Sequence, residues 1–371
     1  MMTNHASFVQ FWTALRRKGG FALCLAMCVL VLGVSRSAKA STYITIDAPG
    51  ASPGTTGLYY NNALGTIVGA YQDGNNAWHG FLRTIDGHYT IIDAPGAGTT
   101  AYRGTGGPGL NLNDLGAVTG TYVDATGARH GFLRTPDGSY TTIDVAPGVG
   151  WTWANAINLA GEIAGNYTDA NGWHNFLRSR DGKFTSVDAP GATPANGGTS
   201  SWSYANAMLN LAGACIGYYF DSNGMAIGFV RAPNGAYTTI QDPATFTGSG
   251  AAGSIPMAIN TEGTITGVYA DSNYGIHGYL RTARGNFTNF DFPGSGNAWP
   301  LDINLFGAIV GSYYDSNGVQ HGFLRTPDGT YTTLDVPGAT GTVPNSINLA
   351  GQIIGTYYDA DGNQHGFLRI P

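Results

Sequence analysis

One alternation of apolar and polar positions returns along the whole chain. It reads N-x-x-G-x-I-x-G-x-Y-x-D, then H-G-F-L-R-T, then a turn and Y-T-T-I-D-x-P-G, with six whole copies spaced 44 to 52 residues apart. Short runs of alternating character bounded by Gly, Asn, Asp and Pro predict strands, and each copy holds four of them, here lettered a to d. In the last copy strand a runs into Ile347, b covers Gln352 to Tyr358 and c covers His365 to Ile370. Strand d is missing there, and Tyr43 to Ala48 near the other end supplies it. The two broken halves make a seventh copy. First and last units that complete one another predict a ring, because joining them buries two faces that an open array exposes.

The turns carry the most regular part of the pattern. Asn62, Asn113, Asn158, Asn210, Asn260, Asn304 and Asn348 open the a–b turns, each with Gly three residues on. Asn starts a type I turn and Gly takes the left-handed position that ends it. The b–c turns open on Asp73, Asp124, Asp169, Asp221, Asp271, Asp315 and Asp359, and the c–d turns read Pro136-Asp137-Gly138 or Pro327-Asp328-Gly329. Asp359 to Gly362 has the look of a calcium loop but lacks the further oxygen ligands and the distal Glu. It reads as a hairpin.

Counting back from those turns fixes the register. With Thr326 facing Thr330, Arg325 falls opposite Tyr331 and His321 opposite Asp335, while Tyr313 faces His321 from the other side. The same row recurs as Tyr71, His79 and Asp93; Tyr122, His130 and Asp144; Tyr167, His174 and Asp188; Tyr269, His277 and Asp291; and, across the termini, Tyr357, His365 and Asp47. In one copy it becomes Tyr219, Ile227 and Gln241, losing His and Asp together. A His oriented by Asp invites a catalytic reading. No nucleophile accompanies the pair, and six identical active sites in one ring make little sense, so the row reads as a lock across strands b, c and d. One His per unit also leaves the next His a whole unit away, too far to share a metal.

Composition places the chain outside the cytoplasm. Residues 1–40 hold Arg16, Arg17 and Lys18, an apolar run from Phe21 to Val34, and Ala38-Lys39-Ala40, the three parts of a signal peptide. The run is shorter than the ~20 residues of a membrane span. A mature domain over 41–371 is expected, secreted and monomeric. The leader takes five of the 17 basic residues and none of the 23 acidic ones, leaving a net charge of −11, which repels nucleic acid and anionic lipid. It also takes two of the three cysteines, so Cys215 has no disulfide partner.

The motif Ile303 to Asp315 followed by His321-Gly322-Phe323-Leu324-Arg325 resembles the HAF-type extracellular repeat of bacterial secreted proteins. The central residue of that name motif, usually Ala, is Gly in six copies here and Asn175 in the other. The resemblance covers nearly all of the mature chain and implies a secreted repeat protein with no assigned reaction. Repeat length and four strands per copy predict an all-β, seven-bladed β-propeller of four-stranded antiparallel blades, closed by the N-terminal strand joining the C-terminal blade.

Function must then lie where the copies differ. The d–a crossovers vary in length and carry Tyr102, Trp151, Trp153, Trp202, Tyr204 and Trp299, large rigid faces with one polar edge, suited to sugar rings or a protein partner. Asp302 and Arg103 are the non-repeated charges nearest them, and Asp302 is the first candidate for a ligand contact. With only two glutamates, Glu162 and Glu262, in different units, the paired carboxylates of a glycosidase are not supplied. The pattern offers no catalytic residue, metal site or cofactor motif. The expected role is a non-catalytic binding propeller for a polysaccharide or an extracellular protein. The alternatives are a polysaccharide lyase or hydrolase and a purely structural surface protein.

Overall fold

A computed structural model of the chain describes residues 41–107, 109–145, 150–192, 199–200, 208–247 and 253–371. Every regular element among them is a strand, and no helix long and apolar enough to cross a membrane is present. The leader expected over residues 1–40 lies outside the described residues.

Antiparallel ladders follow the repeat. Trp299–Ile303, Ile309–Tyr314, Gln320–Arg325 and Tyr331–Leu334 make one four-stranded sheet in chain order. Thr152–Ile157, Ile163–Asp169, Gly172–Arg178 and Phe184–Ser186 make another. A third runs Gly341–Ile347, Ile353–Tyr358, Gln364–Ile370 and then Thr42–Ile46, in which Tyr43 lies opposite Arg369 and Ile46 opposite Gly366. The first and second units are joined into one sheet by a single parallel contact between Trp78 and Gly104, and the fourth and fifth by one between Ile227 and Ser254. An isolated parallel bridge of the same kind links Gln364 of the seventh unit to Thr55 of the first.

The innermost strand is bulged at one repeated place, between Leu58 and Tyr60, Ala154 and Ala156, Pro256 and Ala258, Pro300 and Asp302, and Pro344 and Ser346. A bulge bends the strand and re-aims the side chains after it. Strand b answers with glycine. A Cβ on Gly355 would overlap the carbonyl oxygen of Val343 and stand 2.8 Å from the ring of Phe367. Gly355→Ala is therefore expected to cost about 2–3 kcal/mol in urea unfolding. Gly74→Ala, at a site open to solvent, should cost under about 0.5 kcal/mol, and equal losses at both sites would show that the bulge leaves more room than its geometry indicates.

Between sheets the core is apolar and repeats with them. The strand c aromatics Phe81, Phe132, Phe176, Phe229, Tyr279, Phe323 and Phe367 are all buried. Cys215 occupies the strand b position held elsewhere by Ile67, Val118, Ile163, Ile265, Ile309 and Ile353. It is a packing residue, and burial pushes its thiol up to about 11.

The a–b turns are linked in series. Each turn Asn uses Oδ1 to accept main-chain N–H groups of its own turn, as Asn62 does from Leu64 and Thr66. Its Nδ2 donates to the carbonyl oxygen of the next turn's Asn: Asn62 to Asn113, Asn113 to Asn158, Asn158 to Asn210, Asn210 to Asn260, Asn260 to Asn304 and Asn304 to Asn348. Asn348 donates to Asn62 at 3.0 Å, so the series returns to its start.

Candidate functional site

The Tyr–His–Asp row comes first because it carries the most chemistry. In six units the imidazole stacks on the strand b tyrosine, with ring centroids 5.2 Å apart for Tyr313 and His321 and 5.1 Å for Tyr357 and His365. Nδ1 faces the strand d carboxylate, at 2.8 Å from Asp335 for His321 and 3.0 Å from Asp47 for His365. Nε2 meets a second carboxylate that the register count did not place there, the Asp opening the b–c turn. The separations run from 3.1 Å for His174 and Asp169 to 3.7 Å for His321 and Asp315. The tyrosine contributes its ring face, and its hydroxyl bonds a strand d side chain in several units, Tyr357 with Thr45, Tyr122 with Thr142 and Tyr269 with Asn289. The row is thus an aromatic stack with the imidazole set between two carboxylates, rather than a Tyr–His–Asp hydrogen-bond chain.

For His174 and His365 burial alone would lower the imidazole's proton affinity, but the flanking carboxylates outweigh it and raise the pKa above the usual histidine value. With a carboxylate at each nitrogen, neither is left to take a proton from a substrate. In the fourth unit Ile227 is buried opposite Tyr219, and Gln241 reaches back to Met225 instead.

The asymmetric feature lies where the second and third units meet, at the end bearing the b–c turns. Trp151 immediately precedes the strand Thr152–Ile157 that carries Trp153, and their ring centroids lie 5.9 Å apart, nearly perpendicular. Trp153 stacks on Trp173 of strand c at 4.8 Å. Arg129, at the start of strand c in the preceding unit, places its guanidinium carbon 5.7 Å from the Trp151 ring and 6.0 Å from the Trp153 ring. Thr168 anchors the approach: its Oγ1 accepts from the Trp151 N–H at 2.9 Å, and its own N–H donates to the Trp151 carbonyl at 2.9 Å. Trp151 remains 47% exposed. A half-open tryptophan held by its backbone, rather than by packing, is a surface prepared for contact.

No family model and no curated protein matches this sequence. Solved structures do. Virginiamycin B lyase from Staphylococcus aureus superposes with a TM-score of 0.56 at 16% identity, over 89% of this chain and 100% of that one, and one such structure is a catalytically inactive histidine variant with quinupristin. A streptogramin B lyase gives 0.55 at 16% identity, over 88% and 97%. The β-propeller domain of the Trilobed protease from Pyrococcus furiosus, with an open velcro topology, gives 0.54 at 8% identity, over 85% and 95%. The fold is a β-propeller.

On that propeller the remaining candidates separate. Tyr102 is 76% exposed in the crossover between the first two units, at a left-handed φ of 63°, its N–H donating to the Asn76 carbonyl. Trp299 opens the innermost strand of the sixth unit, and no ring contact joins it or Tyr102 to the tryptophan cluster. Trp202 and Tyr204 lie outside the described residues. Asp302 is buried, and its carboxylate accepts from Ser346 Oγ at 2.8 Å, the Ile347 N–H at 3.0 Å and the Ile303 N–H at 2.8 Å. Burial pushes its pKa up to about 6, against the pull of those three donors. The next unit's first strand encloses it, with Ser346 and Ile347 supplying two of the three donors.

Trp173 and Arg129 were missed by the reading of crossovers, because both lie inside strand c. A signal existed. They occupy the position just before the repeated His, which reads Trp78, Arg129, Trp173, Ala226, Ile276, Gln320 and Gln364 through the seven copies, the last two alike. A variable position beside a fixed one, on the exposed end, is where individuality is expected.

Proposed function

We propose that the chain is a secreted propeller of seven blades built from the HAF-type repeat, closed by its first strand, and that it binds polysaccharide without transforming it. Closure is supported by the pairing of Thr42–Ile46 with Gln364–Ile370, the Thr55 to Gln364 bridge and the asparagine series that returns to Asn62. The observation that carries the binding role is the Trp151, Trp153 and Trp173 cluster, three rings gathered at one junction of otherwise repeated units. Rigid aromatic faces cover the C–H face of a sugar with little loss of side-chain entropy. A lyase or hydrolase reading needs a proton acceptor, and the six histidines that recur on this face each hold Nδ1 against a carboxylate, with Nε2 of His174 and His365 bonded to a second one.

The test is a glycan array on the mature protein, followed by calorimetry on the best ligand. Trp151→Ala and Trp153→Ala are each expected to weaken binding at least about tenfold, the loss of one stacked ring. The melting temperature should move little for Trp151→Ala, whose ring is half exposed. Absence of any glycan binding at millimolar concentration would rule the carbohydrate reading out and leave a protein partner as the occupant of the cluster.

A further inference from the structure

The mature chain is strongly acidic, and net charge taken alone disfavours a strongly acidic ligand. The distribution of its cations alters that view. Seven arginines close strand c at the far end of each unit, and six of them reach over a c–d turn glycine such as Gly138 or Gly329. Arg180, Lys183 and Arg284 lie in those same turns. Arg103 and Arg129 alone, among the described residues, stand at the end that carries the b–c turns. Both belong to the second unit, at the edge that meets the tryptophan cluster.

Neither is neutralised. Arg129 has no ion pair or hydrogen bond from its guanidinium among the described residues, only the two indole faces. Arg103 lies across Gly127 and donates from Nη1 to the main-chain oxygen of Asp124 at 3.3 Å. The carboxylate of Asp124 is taken up by the Thr126 hydroxyl, by the N–H groups of Thr126, Gly127 and Ala128, and by His130 at 3.5 Å. A planar fork of N–H donors, partly withdrawn from water and held between aromatic faces, is the geometry that recognises a planar carboxylate in a bidentate manner. A neutral sugar offers hydroxyl oxygens to those donors but no charge-assisted, bidentate acceptor.

We infer that the ligand of this junction is an acidic glycan, one whose repeating sugar is a uronic acid: the ring stacks on Trp151 and Trp153 while its carboxylate meets Arg129, with Arg103 beside it. This rests on the carbohydrate reading above and narrows it to a substrate class. The rest of the surface, at a net charge of −11, repels such a polymer, so attraction is confined to one place and favours single-site binding over coating of the surface.

The experiment compares each acid with its own neutral form. Oligomers of galacturonate, glucuronate and mannuronate, and the methyl ester of each, are titrated into the mature protein by calorimetry. At least one acid should bind ten or more times tighter than its ester. Arg129→Gln should bring the ratio of acid to ester affinity to about one, and Arg129→Lys should restore only part of it, since the charge returns without the fork. Trp151→Ala should weaken acid and ester alike. Equal affinity for every acid and its ester overturns the inference even if Arg129→Gln fails to fold, and leaves the carbohydrate reading standing if either form binds. Binding of neutral glycans only has the same meaning. No binding of any acid, ester or neutral glycan defeats both.

Discussion

Removal of residues 41–49 should leave a protein that melts at least 10 °C lower than the intact mature chain and aggregates on warming. The deleted segment is small, but it holds the whole fourth strand of the last sheet, paired over five residues from Thr42 to Ile46. Ile46 and Ala48 are buried in the core that contains Leu58, Ile67 and Phe81 of the first unit. Asp47 supplies the carboxylate for His365, and its carbonyl accepts from the Tyr89 hydroxyl. Losing one fully buried isoleucine alone costs about 2–5 kcal/mol, and the bare edge of Gln364–Ile370 becomes a template for pairing with other molecules. Differential scanning calorimetry with light scattering reads both effects. A truncated chain that melts with the intact one would mean that the last sheet does not depend on its fourth strand.

Asp302→Asn should stabilise the protein at pH 8 and flatten its response to pH. An aspartate has an unfolded pKa near 3.9, and burial raises that of Asp302 to about 6. The ionised carboxylate therefore penalises the fold above pH 6, and the penalty fades as the pH falls towards 4. Two units correspond to about 3 kcal/mol at most. The substitution has a precedent inside the chain: Asn111, at the equivalent position of the second unit, accepts from the Ile157 N–H as Asp302 does from that of Ile347. Some hydrogen-bond strength to the charged acceptor is lost, so a net gain of about 1–2 kcal/mol at pH 8 is expected.

The raised histidines act in the same direction. His174 and His365 contribute stability that is complete below their unfolded pKa and lost as the pH rises through the higher folded value. The turn aspartates oppose them at the acid end. Asp73, Asp271 and Asp315 have lowered pKa values, set first by main-chain N–H donors of their own turns, and their contribution is lost as the pH falls below the ordinary carboxylate range. Stability of the wild-type chain should therefore be greatest near pH 4–6. Chemical denaturation of both proteins from pH 4 to pH 8 decides the matter, and parallel curves would mean that Asp302 is hydrated or relaxed rather than buried.

What the sequence made legible was what a single unit determines. Asn and Gly at fixed spacing define a turn locally, and turns fix register, so the alignment of Tyr313 with His321, and of Arg325 with Tyr331, follows from counting. Relations between units were not legible, because spacing within a repeat says nothing about which neighbour's carbonyl an asparagine will reach. The second carboxylate at each imidazole was hidden for a related reason, since the hairpin folds Asp359 back over His365 without any ladder position recording it. The enclosure of Asp302 was hidden because its donors Ser346 and Ile347 belong to the next unit. Trp173 and Arg129 were passed over because both stand in strand c, which is otherwise repetitive.

The asparagine series runs in one rotational sense, every unit donating to its successor and accepting from its predecessor through the same two atoms. Each junction therefore presents an identical connector, whichever units stand on either side of it. Units joined by such a connector are interchangeable there, so a copy could be duplicated, replaced or moved without a new way of holding its neighbours. Individual character is confined to the opposite end, at positions such as 129 and 173. The architecture separates the grammar of assembly from the vocabulary of recognition, and one face could diversify by recombination of whole units while the other keeps them in line.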